Sequence, residues 1–216
     1  SSGYRVPNVD DMSKIFESTA GHVIVPNGSL KPEKTISPEL SIHFHKEKRI
    51  LVENTTFYTF FYDAIVTEKA TFNGADSLMY DGTMSEVYMN QNAQRAYLYG
   101  NNFMTRIQII DPLFIKISAQ YIYGRIKTDS TDYPLDHIPP LVAQGSLQYN
   151  KQRFGGEFGV MFNGAKTKEE YNMFGEDNYN YATSVDGTPA WMTLNCKIYF
   201  TLLKICTFRF GVDNIL

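Results

Sequence analysis

The segment PLDHIPPLVAQGSLQYNKQ, residues 134–152, decides the fold class of this chain. After two prolines, apolar and polar side chains alternate from Leu141 to Tyr149, which predicts a β-strand with two unlike faces. One face carries Leu141, Ala143, Gly145, Leu147 and Tyr149, and the other carries Val142, Gln144, Ser146 and Gln148. The fold therefore depends on the environment that each face meets.

Similar segments along the chain predict an all-β fold. The predicted strands cover residues 35–45, 50–66, 93–110, 113–127, 141–150, 153–165, 191–202 and 205–213, with a short ninth strand at the N-terminus. Strands of soluble proteins usually have about five or six residues, and several of these are longer. A tilted strand of about nine to eleven residues is long enough to cross a bilayer.

The connections between the predicted strands alternate in length. The short ones are KEKR (46–49), IDP (110–112), NKQR (150–153) and LLK (202–204), and the long ones cover roughly 67–92, 128–140 and 166–190. Outer-membrane barrels have short periplasmic turns and long extracellular loops. The spacing therefore predicts an antiparallel up-and-down meander with that asymmetry.

Charged side chains lie in the middle of several predicted strands, on the polar face. They are Lys116, Glu157, Lys197 and Arg209. A water-filled lumen tolerates such charges and lipid does not, so the apolar face is the one predicted to meet lipid. Aromatic residues near the strand ends, where an interfacial girdle is expected, are Tyr121, Tyr123, Tyr149 and Phe154.

A soluble fold accounts for the same alternation. Antiparallel sheets with one face on a core and one in water also alternate, and two of them form a sandwich. The alternative is therefore a soluble β-sandwich that binds carbohydrate or protein. A complete, small eight-stranded barrel is a third possibility.

Composition and motifs exclude several classes of protein. The net charge of −3 argues against a nucleic-acid partner, and the sequence contains no apolar run of the length that a transmembrane helix requires. The sequence contains no Gly-x-Ser-x-Gly nucleophile elbow, no P-loop, no HExxH zinc-protease motif and no Cys-x-x-Cys pair. We therefore predict no enzyme activity and no cofactor. Cys196 and Cys206 fall out of register in the predicted last hairpin and are expected to be free thiols.

Two groups of side chains could ligate a metal, and neither predicts a site. His43 and His45 share a strand face, but a dedicated site usually needs about three or four ligands. The acidic loop holds Glu169, Glu170, Glu176, Asp177 and Asp186, whose spacing matches no EF-hand. We interpret the histidines as lumen residues and the loop as a solvated surface.

Several short motifs resemble signatures of TonB-dependent outer-membrane receptors of the Bacteroidetes type. The first is Tyr4, Arg5 and Pro7; the second is Asn27, Leu30, Lys31, Pro32 and Glu33; the last is GVDNIL at 211–216. Their order and spacing match the C-terminal part of the barrel in that family, from Tyr4 to Leu216. The resemblance implies that residues 1–216 supply eight or nine of the parent's about 22 strands, with the plug domain and the final strand absent. The N-terminus has no signal-peptide features, which fits a processed precursor or a start inside a longer protein.

The same resemblance implies a function and partners. The parent would lie in the outer membrane of a Gram-negative bacterium, in contact with outer-membrane lipid. It would import a scarce extracellular small molecule such as a ferric siderophore, haem or cobalamin, driven by the TonB complex through the missing plug and TonB box. In haem-importing relatives, loop histidines can ligate haem iron, and the resemblance makes His137 and His22 the candidate ligands in this chain. The expected ligand contacts on the long loops are Tyr80, Tyr133, His137, Tyr171, Tyr179 and Trp191.

Overall fold

A computed structural model gives the fold, and it describes residues 1–47, 49–93, 95–128, 132–173, 182, 186–203 and 205–215. The long strands are β5 (Glu39–Lys46), β6 (Ile50–Tyr62), β9 (Thr83–Ala93), β10 (Arg95–Ile110), β11 (Leu113–Lys127), β13 (Val142–Asn150), β14 (Phe154–Asn163), β17 (Trp191–Leu202) and β18 (Cys206–Val212). The short strands are β1 (Ser2–Arg5), β2 (Phe16–Thr19), β3 (His22–Val25), β4 (Glu33–Ile36), β7 (Ala64–Lys69), β8 (Ser77–Tyr80), β12 (Asp132–Pro134), β15 (Lys166–Thr167) and β16 (Gly187–Thr188). The helices are α1 (Val9–Ser13) and a 3-10 turn (Lys168–Glu170). None of the described helices has the length and apolar character needed to span a membrane.

The main sheet is an antiparallel meander. Its order is β1-β4-β6-β10-β11-β13-β14-β17-β18, with β5 also paired to β6 and β12 also paired to β11. From β10 to β18, the successive long strands of this sheet are neighbours, so this part of the sheet follows the chain without crossovers. The sheet is open between β1 and β18, and the predicted all-β, partial-barrel fold is confirmed.

The long connection predicted at 67–92 is wrong. This region contains β8, most of β9 and the end of β7, which join β2 and β3 in a second sheet of order β2-β3-β9-β7 with β8 beside β9. Strand β9 pairs in parallel with β3, and its adjacent residues Val87 and Tyr88 are both buried. Burial on both faces removes the alternation that reveals a strand.

Two predicted strand boundaries also differ from the structure. The segment predicted at 50–66 is divided at Asp63, whose φ of 53° separates β6 from β7. The segment predicted from residue 93 starts earlier, because β9 precedes β10 almost without interruption. The last hairpin places Cys196 opposite Val212 and Cys206 opposite Leu202, and both cysteines are free as predicted.

The strand register gives the main sheet two chemically distinct faces. One row crosses β10, β11, β13, β14 and β17 as Ile107, Ile115, Leu147, Phe158 and Cys196. The adjacent row, on the opposite face, is Arg106, Lys116, Ser146, Gly159 and Asn195. Because side chains alternate along each strand, the first row defines an apolar face and the second a polar face.

The apolar face is exposed along the whole sheet. Leu40 is 67% exposed, Phe158 50% and Phe210 65%. A β-sandwich would bury these side chains against a second sheet, so their exposure argues against the sandwich alternative.

The tightest packing lies at the end of the sheet that carries the long connections. One buried cluster joins strands of the main sheet to their extensions and comprises Ala64, Val66, Ala93, Ala96, Ile126 and Tyr133. A second cluster, inside the small sheet, comprises Val23, Val25 and Val87. This end is therefore a packed substructure, with strands of its own.

Gly100 is required where β10 packs against its neighbours. A Cβ at this position would lie 2.6 Å from Phe57 Cζ and 2.6 Å from the backbone oxygen of Tyr121. The backbone oxygen cannot move aside without disturbing β11. We expect Gly100→Ala to lower the free energy of unfolding by about 1–3 kcal/mol, the usual cost of overpacking, in denaturant titrations of the full-length gene product.

The matched control is Gly159→Ala. Gly159 lies on the same face, and its nearest neighbour would be an ordinary contact at 3.7 Å. A loss of stability equal to that of Gly100→Ala would contradict the proposed clash.

Candidate functional site

The candidate site is the surface formed by the long connections, which we call the loop layer. It consists of the β7–β9 hairpin (64–93), the segment 132–141 and the segment 164–173. β7 and β9 extend the strands β6 and β10 beyond the main sheet, because Ala64 pairs with Ala93 directly after the Ala96–Phe61 pair. The hairpin therefore projects from the rim of the sheet.

Tyr133 anchors segment 132–141 to this hairpin. Its ring packs in the buried cluster with Val66 and Ile126, and its hydroxyl donates a hydrogen bond to Glu68 Oε1 at 3.2 Å. Burial, followed by the nearby Glu68 carboxylate, raises the pKa of Tyr133, so the phenol stays a neutral donor. The exposure expected for Tyr133 from the sequence is wrong, since only 7% of the residue is accessible.

Segment 164–173 is docked on segment 132–141. The Asn172 side-chain amide donates a hydrogen bond to Asp136 Oδ1. Tyr171 is also buried, contrary to expectation, and its hydroxyl is hydrogen-bonded to that of Thr188. Lys166 Nζ lies 4.1 Å from the centre of the Tyr171 ring, a cation–π distance. The three parts of the loop layer are thus joined by specific contacts.

The remaining expected contact residues are spread over different surfaces. Tyr80 packs against the buried cluster of the small sheet. His137 is exposed and has a left-handed backbone with φ of 55°. Trp191 is 44% exposed and starts β17 on the polar face, opposite Asn163. Tyr179 lies outside the described residues.

Charged groups on the small sheet form a local network. Lys69 Nζ lies 2.9 Å from Glu86 Oε2, and the Tyr88 hydroxyl donates to the same oxygen at 3.0 Å. Hydrogen bonds from Lys69 and then Tyr88 lower the pKa of Glu86. The ring of His22 lies 4.7 Å from that of Tyr88, so this candidate haem ligand packs against the network.

The polar face carries a groove below the loop layer. This groove has a volume of about 340 Å³ and is lined by polar side chains that include Lys116, Gln144, Gln148, Glu157 and Lys197. Glu157 is paired with Lys197 across β14 and β17, and Lys197 Nζ is 3.4 Å from Asp213 Oδ1. The charges predicted for a wet lumen therefore share one surface.

His43, on the polar face, lies beside a carboxylate. His43 Nδ1 lies 3.5 Å from Glu53 Oε1. Within the part of the chain that the structure describes, no group of three or more His, Cys, Asp or Glu side chains is arranged to hold a metal.

The family model described as TonB dependent receptor-like, beta-barrel, matches residues 1–215. The chain belongs to this family. It is 27% identical over 226 residues to "Probable hemoglobin and hemoglobin-haptoglobin-binding protein 4" of Haemophilus influenzae, covering 100% of this chain and 22% of the relative. It is 25% identical to "Hemoglobin and hemoglobin-haptoglobin-binding protein" of Haemophilus ducreyi, covering 99% of this chain and 24% of the relative. The chain thus spans less than a quarter of the length of these relatives, and the Bacteroidetes subtype stays a prediction.

Solved TonB-dependent receptors have the same fold. A mutant ferric enterobactin receptor of Pseudomonas aeruginosa, in complex with enterobactin, superposes with a TM-score of 0.75 at 17% identity, over 100% of this chain and 32% of that chain. The copper transporter OprC superposes with a TM-score of 0.72 at 18% identity, over 99% of this chain and 30% of that chain. At such identities the comparison establishes the fold alone.

The residues that organise the loop layer were missed by the sequence analysis. Glu68, Asp136 and Asn172 lie far apart in sequence and belong to no motif, so only their contacts reveal them. The short apolar run Val23-Ile24-Val25 in the first connection and the Asp81-Gly82 turn between β8 and β9 were the local signs of the second sheet.

The Tyr133 hydroxyl gives a test of the loop layer. Tyr133→Phe keeps the packed ring but removes the bond to Glu68, and hydrogen bonds to charged groups contribute about 1.5–3 kcal/mol. We expect segment 132–141 to become more sensitive to limited proteolysis and to exchange its amides faster in hydrogen–deuterium exchange. Tyr149→Phe, at the opposite end of the sheet, is the control. Unchanged exchange in Tyr133→Phe would show that the ring alone holds the segment.

Proposed function

We propose that this chain forms part of the barrel wall of an outer-membrane receptor that takes up a scarce extracellular ligand. In this proposal the apolar face contacts lipid, the polar face lines a water-filled bore, and the loop layer lies outside the cell. The observation that carries the proposal is the unbroken apolar face on long paired strands. Family membership supports the same location in a Gram-negative outer membrane.

The height of the apolar face supports this orientation. Tyr149, level with Leu113, lies near the short turns, and Tyr123 lies near the loop layer. The ten residue steps from Leu113 to Tyr123 rise about 33 Å along β11 at about 3.3 Å per step. A strand tilt of about 40° reduces this rise to about 25 Å, which is the height of the apolar band in outer-membrane barrels.

We infer that the ligand belongs to the ferric siderophore, haem or cobalamin class. Two relatives carry names that refer to haemoglobin binding, and they support haem iron as the first ligand to test. In this scheme the TonB complex acts on a plug domain that belongs to the parent protein. The proposed contacts are the loop residues Tyr80, His137, Tyr179 and Trp191, among which Trp191 is accessible on the polar face. Tyr133 and Tyr171 are buried, so their proposed role is to position these loops.

A pair of adjacent residues on β11 tests the lipid contact. Ile117 is 44% exposed on the apolar face, whereas Ser118 lines the polar groove. Lysine on the lipid face near the bilayer midplane costs about 2–4 kcal/mol. We therefore expect Ile117→Lys to reduce the folded fraction of the full-length gene product in lipid vesicles and Ser118→Lys to leave it nearly unchanged. Heat-modifiable migration in electrophoresis measures the folded fraction, and equal effects of the two variants would contradict the orientation.

Ligand capture is tested with Trp191. Aromatic anchors often contribute about 2 kcal/mol or more to binding, so Trp191→Ala is expected to weaken ligand binding at least about tenfold. Met192→Ala is the matched control, because Met192 is the next residue and is 54% exposed on the apolar face. Cells that express the full-length gene product are titrated with haemoglobin, haem, a ferric siderophore and cobalamin. Failure of the unmodified receptor to bind any of these ligands would refute the proposed ligand class.

A further inference from the structure

Three cations stand in a row on the apolar side of the sheet, at the rim next to the loop layer. We call Lys34, Arg95 and Lys127 the cation row. All three residues are exposed, Arg95 is the register partner of Lys127, and Lys34 is the partner of Tyr62 on β6. Ala96 and Ile126, the sequence neighbours of Arg95 and Lys127, are buried in the cluster on the other face. Alternation therefore directs both cations outward.

A belt of tyrosines lies directly below the cation row. The ring of Tyr58 lies 5.8 Å from that of Tyr97 and 6.1 Å from that of Tyr99, and the ring of Tyr99 lies 5.3 Å from that of Tyr123. Lys127 Nζ lies 5.8 Å from the centre of the Tyr97 ring, so cation and belt are in contact. Tyrosine belts mark the boundary between hydrocarbon and headgroups, which places the cations at headgroup level.

The cation row carries more positive charge than the neighbouring carboxylates neutralise. Asp132 forms ion pairs here with two cations: its Oδ1 lies 2.6 Å from Arg125 Nε, and its Oδ2 lies 3.6 Å from Lys127 Nζ. Among the described residues, neither Lys34 nor Arg95 takes part in an ion pair. Among the described residues, the four cations at this rim thus have a single ion-pairing carboxylate, Asp132, although the chain as a whole has a net charge of −3.

We propose that the cation row binds phosphate groups of anionic glycolipids in the outer leaflet of the membrane. The row lies above an aromatic belt, points away from the bore and has free charge, which suits an anionic headgroup whose acyl chains lie along the apolar face. Lysine and arginine stems lie along apolar surface while their charged ends reach the headgroups. This inference rests on the membrane orientation proposed above.

Binding of lipid A tests the proposal, because lipid A is a glycolipid with two phosphate groups. The full-length gene product is purified in uncharged detergent and titrated with lipid A in mixed micelles at low salt. A cation at an anionic lipid surface contributes roughly fivefold in affinity, so the combined variant Lys34→Gln, Arg95→Gln and Lys127→Gln is expected to lose about a hundredfold. Dephosphorylated lipid A is expected to bind the unmodified protein as weakly as lipid A binds this variant.

Two further variants separate charge from folding and position. Lys34→Arg, Arg95→Lys and Lys127→Arg keep every charge and are expected to retain binding within about threefold, since the attraction depends mainly on charge. Lys46→Gln, Lys151→Gln and Arg153→Gln remove the same charge at the short-turn end and are expected to bind lipid A like the unmodified protein. Equal affinity in the row variant and the unmodified protein would overturn the proposal.

The source of the phosphate is distinguished by competition. Inorganic phosphate at millimolar concentration is expected not to displace lipid A, and full displacement would mean that the row is a site for free anions, which would overturn the lipid assignment. Heat-modifiable migration and recovery in the outer-membrane fraction are measured on the same samples. If the unmodified protein is neither folded by heat-modifiable migration nor recovered in the outer-membrane fraction, the proposed function is refuted. If it is folded and recovered there while lipid A binds all variants equally, only the lipid site is refuted.

Discussion

Backbone hydrogen bonding is the constraint on which this structure depends. In hydrocarbon, each unpaired N–H or C=O group costs several kcal/mol, so a chain can cross a bilayer only as a helix or in fully paired strands. The meander satisfies this requirement within the sheet through the continuous ladders of β6, β10, β11, β13, β14 and β17. The outer edges of β1, β5 and β18 have no partner within the described chain, and a bilayer would require one for each edge that it covers. A closed arrangement with further strands is thus the physical condition for membrane insertion.

The two-residue period of the strands separates lipid chemistry from water chemistry. A register shift of one residue would bring every Lys and Glu of the polar face to the apolar side. On the polar face, Glu157 lies opposite Lys197 and Arg106 lies opposite Lys116 on neighbouring strands. A shifted register would expose these charges to hydrocarbon, so the same residues that line the bore also help to specify the register.

The sequence predicted those parts of the fold that follow from local alternation. Strands β11, β13, β14, β17 and β18 differ from their predicted ranges by at most a few residues, because one face of each is apolar and the other polar. Strand β9 was missed because its adjacent residues Val87 and Tyr88, which point to opposite faces of the sheet, are both buried. The loop layer was missed for a different reason: the contacts of Tyr133 with Glu68 and of Asn172 with Asp136 join residues that are distant in sequence. Aromatic character suggested Tyr133 and Tyr171 as ligand contacts, but the same character suits them to be anchors in a packed layer.

The difference between a side chain that contacts the ligand and one that anchors a loop affects how a ligand could be held at the rim. A loop that is anchored by buried side chains loses little conformational freedom when a ligand binds, because the ordering cost has already been met in folding. Tyr133 and Tyr171 order segments 132–141 and 164–173, while His137 lies exposed on the first of these segments and Trp191 is accessible on the polar face. The buried tyrosines can thus favour binding without touching the ligand, by holding the accessible side chains in place. The cation row lies on the opposite side of the same rim, so lipid and ligand would meet separate surfaces of one packed substructure.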